Sequence, residues 1–287
     1  MNAIRWSVFY AIGSGLIGLA ELLVGLFSGS MALIADSIHA VTDVITGLIG
    51  AVAAAIGRKQ PDLNHPFGHS RAEPLGAFMV ALITSLLGLN ILQMGISSLL
   101  EQKTPSHGAP SFWVLFAVLL FKAGFYFFSR KKKGSTVLRA LSIDSRNDCL
   151  ASFATLVIIY TSSHGLPWLD QGFALIIGGI IVHSGFQIAK ENVALLMGEI
   201  PGKPFFEHIY QVLSTHPEVL GYGDVKAHYV GLDIHLALTL KLDPHLSLAQ
   251  AHDIEHRVTQ SLMKFDTLTE VFVHIEPYQT PPLDGPP

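Results

Sequence analysis

The chain has 287 residues, of which 50% are hydrophobic and only 14% are charged. Soluble domains carry about 25% charged residues, so this deficit indicates that much of the molecular surface faces lipid. The formal net charge of −4 is small, and no basic tract is long enough to indicate a nucleic-acid partner. The single cysteine excludes a disulfide within the chain.

Six apolar stretches reach or approach the ~20 helical residues needed to cross a bilayer core of ~30 Å. The first follows Arg5 but is too long for the apolar region of a signal peptide, so we interpret it as a true span. The sequence therefore predicts an α-helical membrane protein with six transmembrane helices. These are Ser7–Phe27, Met31–Ile56, Leu75–Leu99, Ser111–Phe128, Leu141–Ser162 and Leu169–Ala189.

Basic residues are concentrated in alternate loops between the predicted spans. The opposite loops contain only Lys103. Because basic loops stay in the cytoplasm, we expect a multi-pass protein with both termini cytoplasmic. As a separate expectation, we place it in the inner (plasma) membrane of a bacterium. The basic residues are Arg5 before the first span; Arg58, Lys59 and Arg71 in the second loop; and Arg130, Lys131, Lys132, Lys133 and Arg139 in the fourth.

The chain becomes more polar after residue 200, which indicates a separate domain. We therefore predict a transmembrane domain over 1–200, a small α/β domain over 201–280 and a disordered tail over 281–287. Ser247 and Gln250 have the spacing of a helix capping box. The predicted elements are a helix at Pro204–Thr215, a half-buried strand at Leu232–Leu242, a helix at Leu248–Lys264 and a strand at Thr269–Ile275.

Two predicted spans contain pairs of ionisable residues. The second holds His39 and Asp43, and the fifth holds Asp144 and Asp148. An ionised Asp at mid-membrane costs about 2.5–3.5 kcal/mol on insertion scales, so such residues need a purpose. Each pair is spaced i, i+4 and therefore shares one helix face. If the two faces meet, four N and O ligands converge, as a tetrahedral divalent-metal site requires.

Two alternatives remain open for these residues. They could be hydrated at the membrane surface, which is plausible for Asp144 because Arg139 and Arg146 are near. They could also form interhelical hydrogen bonds without any ligand. Glu21 and Lys122 are further ionisable residues in the first and fourth spans, and a buried pair between them is a hypothesis.

The second loop carries Asp62, His65 and His69, a ligand-like spacing that on its own is also common in solvated loops. Together, several motifs resemble the cation diffusion facilitator family over nearly the whole chain. These motifs are residues 29–43 (GSMALIADSIHAVTD), 65–73 (HPFGHSRAE), 144–148 (DSRND), 168–170 (WLD) and 273–277 (VHIEP).

The resemblance implies a homodimeric exporter of Zn²⁺ or a related divalent ion, coupled to protons. It implies six transmembrane helices followed by a small cytoplasmic domain of the ferredoxin-like αββαβ type. The transport site would be His39, Asp43, Asp144 and Asp148, and a cytoplasmic loop site would be Asp62, His65 and His69. A site in the C-terminal domain would map onto His235, His252, His274 and Glu276.

Two positions depart from the family pattern. Gly223 stands where some relatives carry another histidine of the C-terminal site, and a solvent-facing strand residue is an equal alternative for His235. Many zinc-selective members carry a histidine in both transmembrane pairs, whereas this chain offers Asp144. A site with three carboxylates is harder, which admits Mn²⁺ and Fe²⁺ beside the favoured Zn²⁺, with Cd²⁺ and Co²⁺ as further alternatives.

We expect a divalent-metal efflux transporter that exchanges metal for protons by alternating access, in the lipid bilayer, with metal also in a structural or regulatory role. Metal requires ionised carboxylates and neutral histidine, and protons favour the opposite state. Neither a P-loop sequence nor a DKTG phosphorylation sequence is present, which disfavours an ATP-driven pump. A membrane enzyme is disfavoured because four protein ligands leave no open coordination position. A membrane-anchored metal sensor or assembly scaffold and a passive channel remain alternatives.

Overall fold

The computed structural model describes residues 3–28, 31–101, 109–131, 134–163 and 168–279. For some helical residues, His39 among them, it describes the backbone alone. The chain divides into two units, Met1–Ala194 and Leu195–Pro287. The division lies a few residues before the boundary predicted from the sequence, and the predicted disordered tail lies outside the described residues.

The first unit consists of long α-helices, one for each predicted span. They are α1 (Ala3–Ser28), α2 (Met31–Ile56), α3 (Ala72–Glu101), α4 (Ala109–Ser129), α5 (Thr136–Ser163) and α6 (Trp168–Leu196). Several are longer than the apolar stretches that predicted them, because backbone hydrogen bonding continues into the more polar flanking residues. The six-helix architecture expected from the sequence is therefore confirmed.

Within the part of the chain that the structure describes, fewer than six helices are both long and apolar enough to count as membrane spans by hydropathy. Among the described residues, Ala3–Val24 and Ala72–Ser97 are long and apolar enough to cross a membrane, and Ala40–Ile56 and Phe116–Ser129 are shorter apolar helices. α5 does not qualify because charged side chains interrupt it, and its mean hydropathy is correspondingly low. The polar residues of α5 therefore keep its hydropathy below that of a typical membrane span, although α5 is one of the helices of the bundle.

Close packing of small residues fixes the crossing of α1 and α2. A Cβ atom built on Gly47 would lie 2.8 Å from the Cβ and 3.0 Å from the backbone N of Ala11, so a side chain there would push the helices apart. Small residues at such crossings let membrane helices approach closely. Tyr10, which is fully buried, directly precedes Ala11 at this crossing.

The second unit has the order α7 (Lys203–Ser214), β1 (Gly221–Val230), β2 (Asp233–Leu242), α8 (Leu248–Leu262) and β3 (Leu268–Pro277). The sheet order is β1-β2-β3, with β1 antiparallel and β3 parallel to β2. Both helices pack on one face of the sheet, where alternating leucines of β2 are buried against α7 and α8. This is the expected αββαβ domain.

Local signals explain the boundaries of these elements. Ser247 and Gln250 form the predicted capping box, with both reciprocal hydrogen bonds present at the start of α8. The β1–β2 hairpin turns at Gly231, whose φ of +70° is in the left-handed region that glycine adopts without a steric penalty. A register shift between Gly223 and Lys226 interrupts β1, with Asp224 at a positive φ.

Candidate metal sites

Three carboxylates converge inside the helical unit. Asp43 comes from α2, and Asp144 and Asp148 come from successive turns of α5. One ligand oxygen from each lies within 4.8 Å of the other two. Asp43 and Asp144 are buried, with 4% and 2% exposure, so a surface-hydrated Asp144 is wrong. Three oxygens this close can converge on one small cation. Metal–oxygen distances of about 2.0–2.2 Å place two ligand oxygens of the same ion at most about 4.4 Å from each other.

His39, the fourth expected ligand, belongs to α2, four residues before Asp43. Its side chain lies outside what the structure describes. The backbone spacing of one helical turn keeps it on the same face of α2 as Asp43. The pairing of faces predicted from the sequence is therefore observed for the three carboxylates only.

Two hydroxyl groups from other helices hold the Asp144 carboxylate. Tyr10 of α1 donates to Asp144 Oδ2 at 3.1 Å, and Thr84 of α3 donates to Asp144 Oδ1 at 2.5 Å. Each carboxylate oxygen thus has one donor, which leaves the remaining lone pairs for another partner. These contacts tie α1, α3 and α5 to one buried acid.

A lysine lies among the same acids. The ammonium of Lys122, on α4, forms ion pairs with Asp43 and Asp148, the latter at 2.7 Å between Nζ and Oδ2. It also donates to the hydroxyl of Tyr10 at 3.1 Å. The sequence hypothesis paired Lys122 with Glu21. The two carboxylates take this place because Glu21 is eleven residues beyond Tyr10 on α1, roughly 16 Å along the helix axis at 1.5 Å per residue.

The loop between α2 and α3 forms a second group of ligand atoms. Asp62, His65 and His69 each offer an atom within 4.8 Å of the others. His65 Nδ1 and His69 Nε2 both lie 3.3 Å from a carboxylate oxygen of Asp62. The backbone N–H groups of His65 and Asn64 donate to Asp62 Oδ1 and hold the pKa of this exposed carboxyl below its usual range. Asp62 and His65 are exposed, so an ion has open access.

The four residues expected in the C-terminal site do not come together within one chain. His274 Nε2 lies 3.8 Å from Glu276 Oε1 on the outer face of β3. His235 is on the same face of the sheet, but it pairs with Glu270, whereas His274 pairs with Thr239. The resulting offset of four residues is about 13 Å.

The remaining residue of this set is on the other side of the sheet. His252 is on α8, which packs against the inner face, and its own neighbour is Glu255 at 3.6 Å. His235 is 6% exposed and its ring lies against those of His228 and Phe272. A solvent-facing His235 is therefore wrong, because rings from both neighbouring strands cover it.

Sequence reasoning missed two polar groups at the carboxylate cluster. Tyr10 and Thr84 each lie in an otherwise largely apolar helix. Isolated hydroxyl side chains are frequent in such helices without any functional role. Lys122 did give a signal, because a lysine in a span is rare. Its partners could not be assigned, since they depend on which helices become neighbours.

Comparison with known proteins gives the same division of the chain. Residues 7–197 match the sequence family described as the cation efflux transmembrane domain. Residues 201–278 match the family described as the cytoplasmic domain of cation efflux proteins. Together these matches cover nearly the whole chain.

Relatives of similar length occur in archaea and bacteria. An uncharacterized transporter of Methanocaldococcus jannaschii is 31% identical over 268 residues, covering 92% of this chain and 95% of the relative. The manganese efflux system protein MneS of Bacillus subtilis is 26% identical, with 90% of each chain covered. The cation-efflux pump FieF of Pectobacterium carotovorum is 26% identical, with coverage of 95% and 93%.

Both family matches, and a relative above 30% identity over nearly its full length, agree with the fold described above. Members of this family move cations across membranes and are not enzymes. The chain therefore belongs to the cation diffusion facilitator family and is a membrane-embedded metal efflux transporter.

Proposed function

We propose that this protein exports a divalent transition-metal ion in exchange for protons, through a transport site formed by His39, Asp43, Asp144 and Asp148. The observation that supports it is the convergence of three carboxylates from two helices in the interior of the helical unit. Acidic groups at this depth are costly unless they bind a cation. The transported ion is the substrate of this site.

The donor set favours ions that accept hard oxygen ligands. Three of the four proposed ligands are carboxylates, and carboxylates suit Mn²⁺ and Fe²⁺ as well as Zn²⁺. A relative of this chain is named as a manganese efflux protein, which agrees with a substrate range that extends beyond zinc. We therefore propose a first-row divalent ion as substrate, and uptake measured metal by metal decides among the three.

Proton exchange follows from competition for the same oxygens. Metal binds the ionised carboxylates, and a proton bound to one of them removes a ligand. When the ion leaves the site, protons bind the carboxylates and neutralise them. This lowers the cost of keeping the acidic groups buried while the site turns back toward the cytoplasm. A helix rearrangement that exposes the site to each side in turn then couples the two fluxes.

The cytoplasmic ligands serve supporting roles in this proposal. Asp62, His65 and His69 lie in an open loop, where an ion can be captured before it enters the helices. Residues 201–278 match the cytoplasmic domain of efflux proteins, and we propose that this domain joins two chains into a homodimer. Substitution at His65 is expected to reduce the rate or affinity of transport without abolishing it.

The test is exchange in vesicles that contain the purified protein alone, with a pH-sensitive dye inside and metal added outside. Asp43→Ala and Asp148→Ala are expected to abolish metal-driven proton movement, because each removes a carboxylate of the cluster. Asp266→Ala is the matched control, since this aspartate is exposed in the second unit, and it should exchange like the wild type.

Folding of each variant is checked by size-exclusion chromatography. Full exchange by the folded Asp43→Ala or Asp148→Ala protein would refute the transport site. Metal movement that ignores the pH gradient would indicate a passive channel. Metal that binds but does not cross the membrane would favour the sensor or scaffold alternative.

A further inference from the structure

Lys122 is a buried cation for which the exchange mechanism above has no role. It is 3% exposed on α4, and the neighbouring positions from Leu119 to Phe125 carry no other charge. A buried lysine is costly unless it is paired. Its retention here therefore depends on the acidic groups that surround its ammonium.

The hydrogen bonds of the ammonium are fully used. Its three N–H groups match three acceptors, namely Asp43 on α2, Asp148 on α5 and the hydroxyl of Tyr10 on α1. Through Tyr10, which donates to Asp144, it is also linked to the third carboxylate. A single tethered charge thus contacts every described member of the carboxylate cluster, directly or through one hydroxyl.

A metal ion on the same oxygens conflicts with this arrangement. The ion requires metal–oxygen distances of about 2.0–2.2 Å, and Nζ is 2.7 Å from Asp148 Oδ2. An ion on that oxygen is therefore at most about 5 Å from the ammonium, in a buried environment where like charges are poorly screened. An ion that binds the Oδ2 atoms of Asp43 and Asp148 together must therefore displace the ammonium from them.

We propose that Lys122 is a tethered competitor of the transported ion, so that its ammonium and the metal occupy the carboxylate oxygens in alternation. This inference rests on the proposed transport site. Competition lowers the affinity for the ion, which favours release, and after the metal has left the ammonium neutralises part of the charge of the three carboxylates, beside the exchanged protons. It also favours divalent ions over monovalent ones, because only a higher charge compensates for displacing two charge-assisted hydrogen bonds.

The experiment is equilibrium binding of Mn²⁺ and Zn²⁺ to the full-length protein in detergent, at one fixed pH. Binding at the transport site is defined as the component that Asp148→Ala removes. Lys122→Met is expected to tighten this component about tenfold or more, because the loss of one charge-assisted competitor contact corresponds to at least that ratio. In vesicles, the apparent KM for metal falls in parallel.

Two variants isolate the charge as the cause. Lys122→Arg keeps the cation and should bind metal within a few-fold of the wild type. Lys190→Met removes the same charge from an exposed position on α6 and should change nothing. Lys122→Gln replaces the methionine variant if that protein does not fold.

The possible outcomes separate the two proposals. If Asp148→Ala removes no metal, both the transport site and the competitor role are wrong. If Asp148→Ala removes metal but Lys122→Met binds equally or more weakly, the transport site stands, and Lys122 is a resident counter-ion and not a competitor. Equal tightening by Lys122→Arg and Lys122→Met also overturns the proposal, because the charge would then be irrelevant.

Discussion

At the scale of single residues, two carboxylates of the candidate sites are positioned in different ways. Asp144 is held by hydroxyl groups from α1 and α3, so its orientation depends on the packing of three helices. Asp62 is held by backbone N–H groups two and three residues further along its own loop. The loop site therefore depends on local structure, and the buried site depends on the whole bundle.

The loop site gives a prediction about pH. Backbone hydrogen bonds lower the pKa of Asp62. The contribution of the ionised Asp62 to metal binding at the loop is therefore complete above the usual aspartate pKa of about 3.9, and it is lost only as the pH falls through the lowered pKa. Asp62→Asn is expected to weaken loop metal binding by a factor that stays constant from about pH 7 to about pH 5. Both proteins retain His65 and His69, so the same two histidine ligands remain in the comparison.

Metal affinity of the two proteins is compared in an Asp148→Ala background, so that the buried site does not contribute. Glu218 offers a matched control, because a hydrogen bond and Arg257 also lower the pKa of this exposed carboxyl, which belongs to the second unit. Glu218→Gln should leave the affinity of the loop site unchanged. A ratio that shrinks steadily toward pH 5 would show that the pKa of Asp62 is raised above its usual value and not lowered.

At the scale of elements, apolar length and capping signals locate most of the structure in advance. All six long helices and the α8 capping box follow from them. β1 is the exception, because its glycines and the register shift between Gly223 and Lys226 break the alternation that reveals a strand. The partners of Lys122 were also beyond the sequence, since helix neighbours are set by packing and not by periodicity.

The α1–α2 crossing gives a prediction about packing. A Cβ at residue 47 meets both the side chain and the backbone of Ala11 at 2.8–3.0 Å, so Gly47→Ala must move one helix. Overpacking of this kind costs about 1–3 kcal/mol. We expect a lower thermal unfolding midpoint in detergent and slower metal exchange, because Tyr10 and Asp43 lie on the two displaced helices.

Gly124→Ala is the control for this substitution. A Cβ at Gly124 on α4 meets nothing within 4 Å, and alanine favours the helix by about 1 kcal/mol over glycine. Its unfolding midpoint should be unchanged or higher. Equal stability of Gly47→Ala and Gly124→Ala would mean that the crossing tolerates a wider separation than the structure shows.

At the scale of the whole molecule, the sequence predicts a set of ligands for the C-terminal domain but not how they would meet. His235 and His274 share the outer face of the sheet, and His252 lies on the helix that covers the inner face. One chain therefore cannot bring the set together around one ion. A site that uses His252 with either strand residue requires ligands from a second chain, which links metal binding to the proposed homodimer.

This linkage gives a prediction about assembly. Because an ion shared between chains binds the dimer and not the monomer, metal should tighten the dimer of the full-length protein by mass action. Sedimentation in detergent is expected to show a lower dissociation constant with Zn²⁺ for the wild type and a smaller metal effect for His274→Ala. His245→Ala removes an exposed histidine outside the site and should respond like the wild type. Dimer affinity that is the same with and without metal in all three proteins would exclude a shared ion and leave His274 and Glu276 as a surface pair within one chain.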